Sequence, residues 1–297
     1  MTEQNTRLGI ILMIATTVVF ALQDGLSRHL AGTYNVYMVV MIRYWFFAAF
    51  VIAMTVRRPG GLARAVATRQ PLIQTFRGLL LAFEVVIMVL AFTKLGLVES
   101  HSIFTSYPLL VAALSGPVLG EKVGWRRWAA IGVGFVGVLI ILEPGVTVFS
   151  PWAILPLICA FMFALYGLLT RFVARKDPAA VSFFWTGISG AVAMTALGAW
   201  FWQPMSPSDW VLMAVLCCTA VLGHWLLIRA FEVAEASAIQ PFAFLQLIFA
   251  SALGITVFGD ALHLNTVIGA AVVVSAGLFT LWRARVKAAS IAPSAQP

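Results

Sequence analysis

A few ionisable and polar side chains stand inside otherwise apolar stretches. Gln23 and Asp24 interrupt "VVFALQDGLSRHL" (18–30), Arg43 stands in "VVMIRYWFF" (39–47), and Glu84 in "LLLAFEVVIMVL" (79–90). His101, Tyr107, His224, Gln240 and Gln246 are similarly placed. An ionisable group at membrane depth costs about 2.5–3.5 kcal/mol on insertion scales, so it faces protein or water rather than lipid. A carboxylate there has three uses: accepting hydrogen bonds, pairing with a guanidinium such as Arg43, or carrying a coupling proton. No P-loop, HExxH, GxSxG or nucleophile constellation accompanies these residues. Cys159, Cys217 and Cys218 lie in apolar runs without a CxxC or metal-ligand spacing. The chemistry on offer is holding and releasing a ligand or a proton. No catalytic residue, cofactor or metal is expected, and an enzyme is not the expected reading.

The elements that must position these groups are membrane helices. Of the 297 residues 62% are hydrophobic and only 10% charged, against about 25% charged in a soluble domain. A spanning helix needs about 20 mainly apolar residues. Ten segments qualify: 8–29, 35–56, 75–94, 99–119, 125–143, 152–172, 179–201, 210–229, 236–258 and 265–282. The fold expected is an all-α integral membrane protein of ten transmembrane helices. The N-terminal run lacks a small-residue cleavage site and reads as a retained first span. The basic segment 57–74 is placed on the lipid surface, and 287–297 as a disordered tail. Placing both termini in the cytoplasm puts 16 of the 19 Lys and Arg residues on the inner side and only Arg28 and Lys94 outside, with Arg43 inside a span. The net charge of +8 is therefore read as positive-inside topology, not as nucleic-acid binding. The expected location is a cell inner membrane.

The chain also repeats itself. "FALQDGLSRHLA" (20–31) aligns with "FALYGLLTRFVA" (163–174), so Arg28 matches Arg171. "AFTKLGLVES" (91–100) aligns with "AFEVAEASAI" (230–239), and the same offset carries Gly120-Glu121 onto Gly259-Asp260, His101 onto Gln240 and Tyr107 onto Gln246. Two repeats follow, 1–145 and 146–286, each of five helices. Five is odd, so the second copy enters the bilayer inverted. Inverted repeats typify secondary transporters, with the substrate site near the midplane between the halves.

Ten spans in two five-helix copies, a Gly-acid pair closing the fourth and ninth spans, and glycine-rich spans after them ("AAIGVGFVGVLIIL", "VIGAAVVVSAGLF") resemble the drug/metabolite transporter superfamily in its EamA branch. The resemblance covers nearly the whole chain and implies a helical bundle with a central cavity that moves small metabolites. "ALQDGLSRHL" followed by "VVMIRYWFF" is similar to the branch of riboflavin and S-adenosylmethionine uptake carriers, in which an acid late in the first span and an arginine in the second recur. The resemblance implies alternating-access uptake of riboflavin or a similar aromatic, vitamin-like compound. An exporter of amino acids or amphipathic metabolites is the alternative; a channel and a membrane-embedded enzyme stand further back.

On this reading Gln23, Asp24, Arg43 and Glu84 border the cavity, Asp24 and Arg43 as an ion pair between consecutive antiparallel helices. His101, Tyr107, Gln240 and Gln246 line it at equivalent depths of the two copies, where Pro108 and Pro241 break the helical ladder. Phe104, Tyr107, Trp185 and Phe242 offer deep aromatic faces, whereas Trp125, Trp128, Trp152 and Trp210 sit at span ends as an interfacial belt. Gly116 and Gly120, spaced GxxxG, are expected to allow close helix approach. His224, beside Trp225, is expected to be a satisfied interior residue. The partners expected are a small-molecule substrate, a coupling proton and the bilayer, with no nucleic acid.

Overall fold

The computed structural model describes residues 5–57, 60–120, 124–142, 150–234 and 239–291, and among them there is no strand. In lipid every backbone N–H and C=O needs an internal partner, so apolar runs become helices. These are α1 (Thr6–Thr33), α2 (Val36–Val56), α3 (Gly61–Val66), α4 (Pro71–Phe104), α5 (Tyr107–Leu119), α6 (Trp125–Leu142), α7 (Ile154–Val173), α8 (Ala179–Gly198), α9 (Pro207–Val233), α10 (Leu245–Phe258) and α11 (Leu264–Ile291). Their starts follow local chemistry. Asn5 and Asn35 side chains accept the Leu8 and Met38 N–H groups at 3.0 and 2.8 Å. Ser206 caps α9 ahead of Pro207. Mid-span hydroxyls such as Thr16 bond back to the carbonyl four residues earlier.

Among the described residues nine helical segments have the length and apolarity to cross a membrane, with Tyr107–Leu119 as a shorter apolar helix. The tenth crossing is hidden in α4. At 34 residues a straight α4 would be about 51 Å long, against about 30 Å of hydrocarbon. It breaks at Gly96 (φ 84°, ψ 176°), a left-handed backbone that favours glycine. The contacts on either side show a reversal. Gln74, before the break, bonds Asp177 in the α7–α8 connection; Leu97, just after it, bonds Asp260 in the α10–α11 connection; and His101, four residues on, is back beside Asp24, inward of the Arg28–Asp260 pair. Residues 71–95 are the third span, and 97–104 with α5 form the fourth. The ninth is likewise broken, a 3₁₀ turn at Gln240–Phe244 leading into α10.

Packing carries the duplication into three dimensions. α1 packs on α9 and α10; their counterparts five spans on are α7 on the third span and on α5. α2 with α8 and α6 with α11 are each their own counterpart. Every helix of one repeat therefore rests on the other repeat. The boundary expected at 145 falls outside the described residues. Arg28, near the end of α1, meets Asp260, just before α11, so α1 starts at the face where α11 ends. Below, the near end is the face of the two termini and the far end is the opposite one.

Some expectations change. α11 continues to Ile291, past residue 287 where disorder was expected, because "VKAAS" is made largely of good helix formers; 292–297 lie outside the described residues, as do Arg58, Lys122, Glu121 and Glu235. Gly120 is not a close-approach site: it is the left-handed residue that ends α5 (φ 75°), and nothing lies near the position a Cβ would take. Close approach falls instead between α6 and α11, where a Cβ on Gly269 would lie 2.5 Å from the Gly137 carbonyl oxygen. Trp125, Trp128, Trp152 and Trp210 are exposed at span ends, as a belt requires.

Candidate functional site

α1 carries Asp24 about two and a half turns before its far end. There its Oδ2 lies 3.1 Å from His101 Nε2 and accepts a hydrogen bond from Gln246 Nε2 at 3.0 Å. The imidazole nitrogen makes no hydrogen bond to that carboxylate, so the two groups meet by close approach alone. Both Asp24 and His101 are buried. Burying an unpaired carboxylate is costly, and the Gln246 hydrogen bond offsets part of that cost. The first and fourth spans come from one repeat and the ninth from the other, so the contact straddles the repeat interface. His101 stands one turn before the break at Thr105–Ser106, and Gln246 follows the 3₁₀ turn. The breaks beside Pro108 and Pro241 set both side chains at the same level.

Aromatic rings continue from this group. The His101 ring stacks on Phe92 at 5.2 Å (24° between planes) and meets the edge of Phe104 at 6.4 Å. Phe104 lies 5.3 Å from Tyr107 and 5.5 Å from Phe163, and Phe163 lies 6.1 Å from Tyr166. A cavity of about 40 Å³ adjoins them, lined by His101, Phe104, Tyr107 and Gln246 among others. Ligand pockets run to about 300–1,000 Å³, so a metabolite enters only when helices part. A larger groove of about 900 Å³ lies between α6 and α11, but it is apolar and open, and its lining does not include the polar residues above.

The remaining candidates are dispersed. Arg43 does not pair with Asp24: among the described residues Asp24 contacts His101 and Gln246 instead. The physical reason is placement. α1 packs chiefly on α9 and α10, while α2 packs on α8 and α9, so neighbours in sequence are not neighbours around the acid. Arg43 sits instead within the electrostatic reach of Glu84, Tyr44, Cys217 and His224. Glu84 is buried, and its backbone carbonyl accepts the Cys159 Sγ at 3.5 Å. Gln23 is buried with Oε1 unpartnered. Trp185 leaves the central group, because its Nε1 donates to the Val66 carbonyl at 3.4 Å and so ties α8 to α3. Phe242 packs with Met13, Ala230 and Ile239 near the start of α1. Gln240 opens the 3₁₀ turn, and its side chain lies outside the description. His224 is satisfied, with Nδ1 2.9 Å from the Ala220 carbonyl oxygen and its ring against Phe20.

Two polar clusters were not anticipated as such. At the near end Arg77 is almost wholly buried. It donates to Thr170 (3.0 Å), Thr186 (2.8 Å) and the Gln74 side-chain oxygen (3.1 Å), and lies over the Tyr166 ring at 5.1 Å. Gln74 in turn donates to Asp177 at 3.0 Å. Burial pushes the Asp177 carboxyl up, but hydrogen bonds from Thr68, Gln74 and the Arg69 backbone N–H, with the Arg69 charge, hold it below the usual carboxylate range. At the far end Arg28 and Asp260 form an ion pair at 2.7 Å. Both residues were visible in the repeat alignment, Arg28 opposite Arg171 and Asp260 opposite Glu121. Phe92, Phe163 and Tyr166 lay in the repeat alignment without a role read from it.

Comparison with known proteins accords with this architecture. The EamA-like transporter family matches residues 7–143 and 150–282, one match per repeat. A Rickettsia prowazekii S-adenosylmethionine uptake transporter is 24% identical over 274 residues, 92% of each chain. A Vibrio cholerae riboflavin transporter is 25% identical over 283 residues, 93% of this chain and 94% of the relative. A Pseudomonas aeruginosa pseudopaline exporter is 21% identical over 272 residues, 90% of this chain and 94% of the relative. A crystal structure at 18% identity shares the fold with a TM-score of 0.62, covering 95% of this chain and 98% of its own.

Proposed function

This chain belongs to the EamA-like transporter family, and on that premise we propose that it takes up riboflavin or a similar flat heteroaromatic metabolite by alternating access. The proposed setting is an inner membrane, with both termini in the cytoplasm. One observation carries the reading: a buried acid, Asp24, bridged to the fourth span by His101 and to the ninth by Gln246, with aromatic faces beside it. A solute with a planar ring and a hydrophilic arm suits such a site. The ring would stack against Phe104 and Tyr107, and the arm would take over the hydrogen bonds of Asp24 and Gln246. A solute bound there touches both repeats, so rocking one repeat on the other changes the face to which it is exposed. Asp24 with His101, and Glu84, are the candidate carriers of a coupling proton.

A second substrate reading has its own observation. The partners of the Asp24 carboxylate are an imidazole and an amide rather than a guanidinium. That leaves room for a substrate cation such as the sulfonium or ammonium of S-adenosylmethionine, the solute named for the Rickettsia relative. Export of a related amphipathic metabolite is the alternative direction, set by gradient and coupling.

Expression in a flavin-auxotrophic bacterium that lacks its own importer tests the first reading. Growth on low external riboflavin is predicted. Failure to grow with the protein verified in the membrane, together with uptake of labelled S-adenosylmethionine by the same cells, replaces riboflavin with the second substrate.

A further inference from the structure

The Asp260 carboxylate gathers three separate parts of the far end. Oδ1 and Oδ2 lie 2.7 and 2.9 Å from Arg28 Nη1 of the first span. Oδ2 also accepts the backbone N–H of Leu97 at 2.7 Å and approaches that of Val98 at 3.4 Å, the first residues after the reversal of the third and fourth spans. Asp260 itself belongs to the connection between the ninth and tenth spans, and its N–H donates to the Gly254 carbonyl at 3.0 Å. Arg28 lies over the Phe258 ring at 4.3 Å. The fit leaves no spare room, since a Cβ on either Gly96 or Gly254 would come within 2.6 Å of this carboxylate.

The position of this knot relative to the candidate site is fixed by helix geometry. Asp24 is four residues inward of Arg28 on α1, and His101 is four residues inward of Leu97 on the fourth span. One helical turn, about 6 Å of rise, therefore separates the Arg28–Asp260–Leu97 contacts from the Asp24–His101 contact along both helices. The knot sits directly over the site on the far side. Around it lies the largest buried apolar cluster, which includes Leu30, Met41, Phe92 and Leu97. A solute reaching Asp24 from the far face has to part α1, the Gly96 reversal and the α10–α11 connection, and Asp260 is the group that joins all three.

The ion pair suits a reversible closure. Its side chains keep 18% and 9% of their surface exposed; parting the pair rehydrates both charges together and so offsets the lost attraction, whereas removing one partner leaves the other charge largely buried and unpaired. Arg77 at the near end, by contrast, is sunk among neutral acceptors, where exposing it means rebuilding a whole network.

We infer that Arg28 and Asp260 form the latch that closes the far side of the transport path over the candidate site, with Asp260 clamping the Gly96 reversal onto the first span. This rests on the alternating-access reading, not on which solute is carried.

The test reads access directly. In a background with Cys159, Cys217 and Cys218 replaced by alanine, Leu247→Cys places a thiol on the wall of the small cavity. A membrane-impermeant thiol reagent is then applied to each face separately. Asp260→Asn and Arg28→Gln should each raise labelling from the far face about tenfold, as expected when a charge-assisted contact holding a closed state is lost. The reversed pair Arg28→Asp/Asp260→Arg should bring it back toward the parent rate. Unchanged labelling, or a rise only from the face of the termini, overturns the latch. Should the charge variants fail to reach the membrane, Arg28→Cys/Asp260→Cys joined by a reducible bis-methanethiosulfonate decides. Far-face labelling must fall on cross-linking and return on reduction; cross-linked protein that labels as fast as free protein overturns the latch. Labelling needs no substrate, so this result stands apart from any failure to transport riboflavin.

Discussion

The Asp24 carboxylate of the first span stands 3.1 Å from His101 Nε2 of the fourth, and Gln246 of the opposite repeat closes the group with a 3.0 Å hydrogen bond. The acid is kept in an apolar bundle by partners that a solute can replace. Asp24→Asn retains the shape and removes the charge. It should lower the initial uptake rate about tenfold or more, equivalent to about 1.4 kcal/mol or more of activation free energy, while the protein still assembles. Initial rates beside the yield of folded protein check this; native rates return Asp24 to a structural role.

His101→Phe keeps a ring stacked on Phe92, where the planes lie 24° apart, and removes the imidazole from Asp24. It should weaken substrate binding severalfold with little loss of thermal stability, because packing is retained. Ligand-induced stabilisation measures this, since a bound solute raises the unfolding temperature by an amount that grows with the logarithm of its affinity. An equal shift in parent and variant contradicts it.

Asp177 gives a pH-dependent stability with a defined sign. Its carboxyl is held below the usual range in the folded state. The stabilisation is therefore full above the unfolded value of about 3.9 and is lost as the pH falls through the lower folded value. Asp177→Asn should cost about 1–3 kcal/mol near neutral pH, because the contacts of Thr68, Gln74 and the Arg69 N–H lose their charged acceptor. Thermal melts of parent and variant should differ by a constant amount above about pH 5 and draw together as the pH falls below about 3.9 through the lower folded value. A gap that widens on acidification contradicts this.

Gly96→Ala tests the reversal. The residue has φ of 84°, and a Cβ would lie 2.6 Å from Asp260 Oδ1. Strain of about 1–3 kcal/mol is expected from the backbone alone, with the clash added. The folded yield should fall well below that of Gly120→Ala, whose φ of 75° and ψ of 19° lie in the αL region that L-residues can adopt and whose surroundings are open. Equal yields would contradict both the backbone strain at Gly96 and the clash with Asp260.

Much of the fold was legible because lipid enforces one rule: apolar runs of sufficient length become helices, and the placement of basic residues orders them. The duplication was legible because it left matching residues, Arg28 with Arg171 and Tyr107 with Gln246. Tyr107 and Gln246, paired by that alignment, line one small cavity. Depth along a helix does not give the face, however. Trp185 and Phe242 were placed at site depth yet point at α3 and at the start of α1. The Asp24–Arg43 pair failed for a related reason, since adjacency in sequence does not make two helices the principal neighbours. Arg77 and Arg28 were read as charges at the membrane edges, and only the packed bundle shows one buried among neutral acceptors and the other locked to Asp260.

Counterflow in proteoliposomes separates a carrier working through Asp24 from its rivals. Vesicles preloaded with unlabelled riboflavin or S-adenosylmethionine are given the labelled solute outside, with the native chain and with Asp24→Asn. Internal solute should accelerate label entry, entry should saturate, and the accelerated rate should fall about tenfold or more in the variant. Flux proportional to concentration and indifferent to internal solute, or counterflow undiminished in Asp24→Asn, would contradict a carrier working through Asp24.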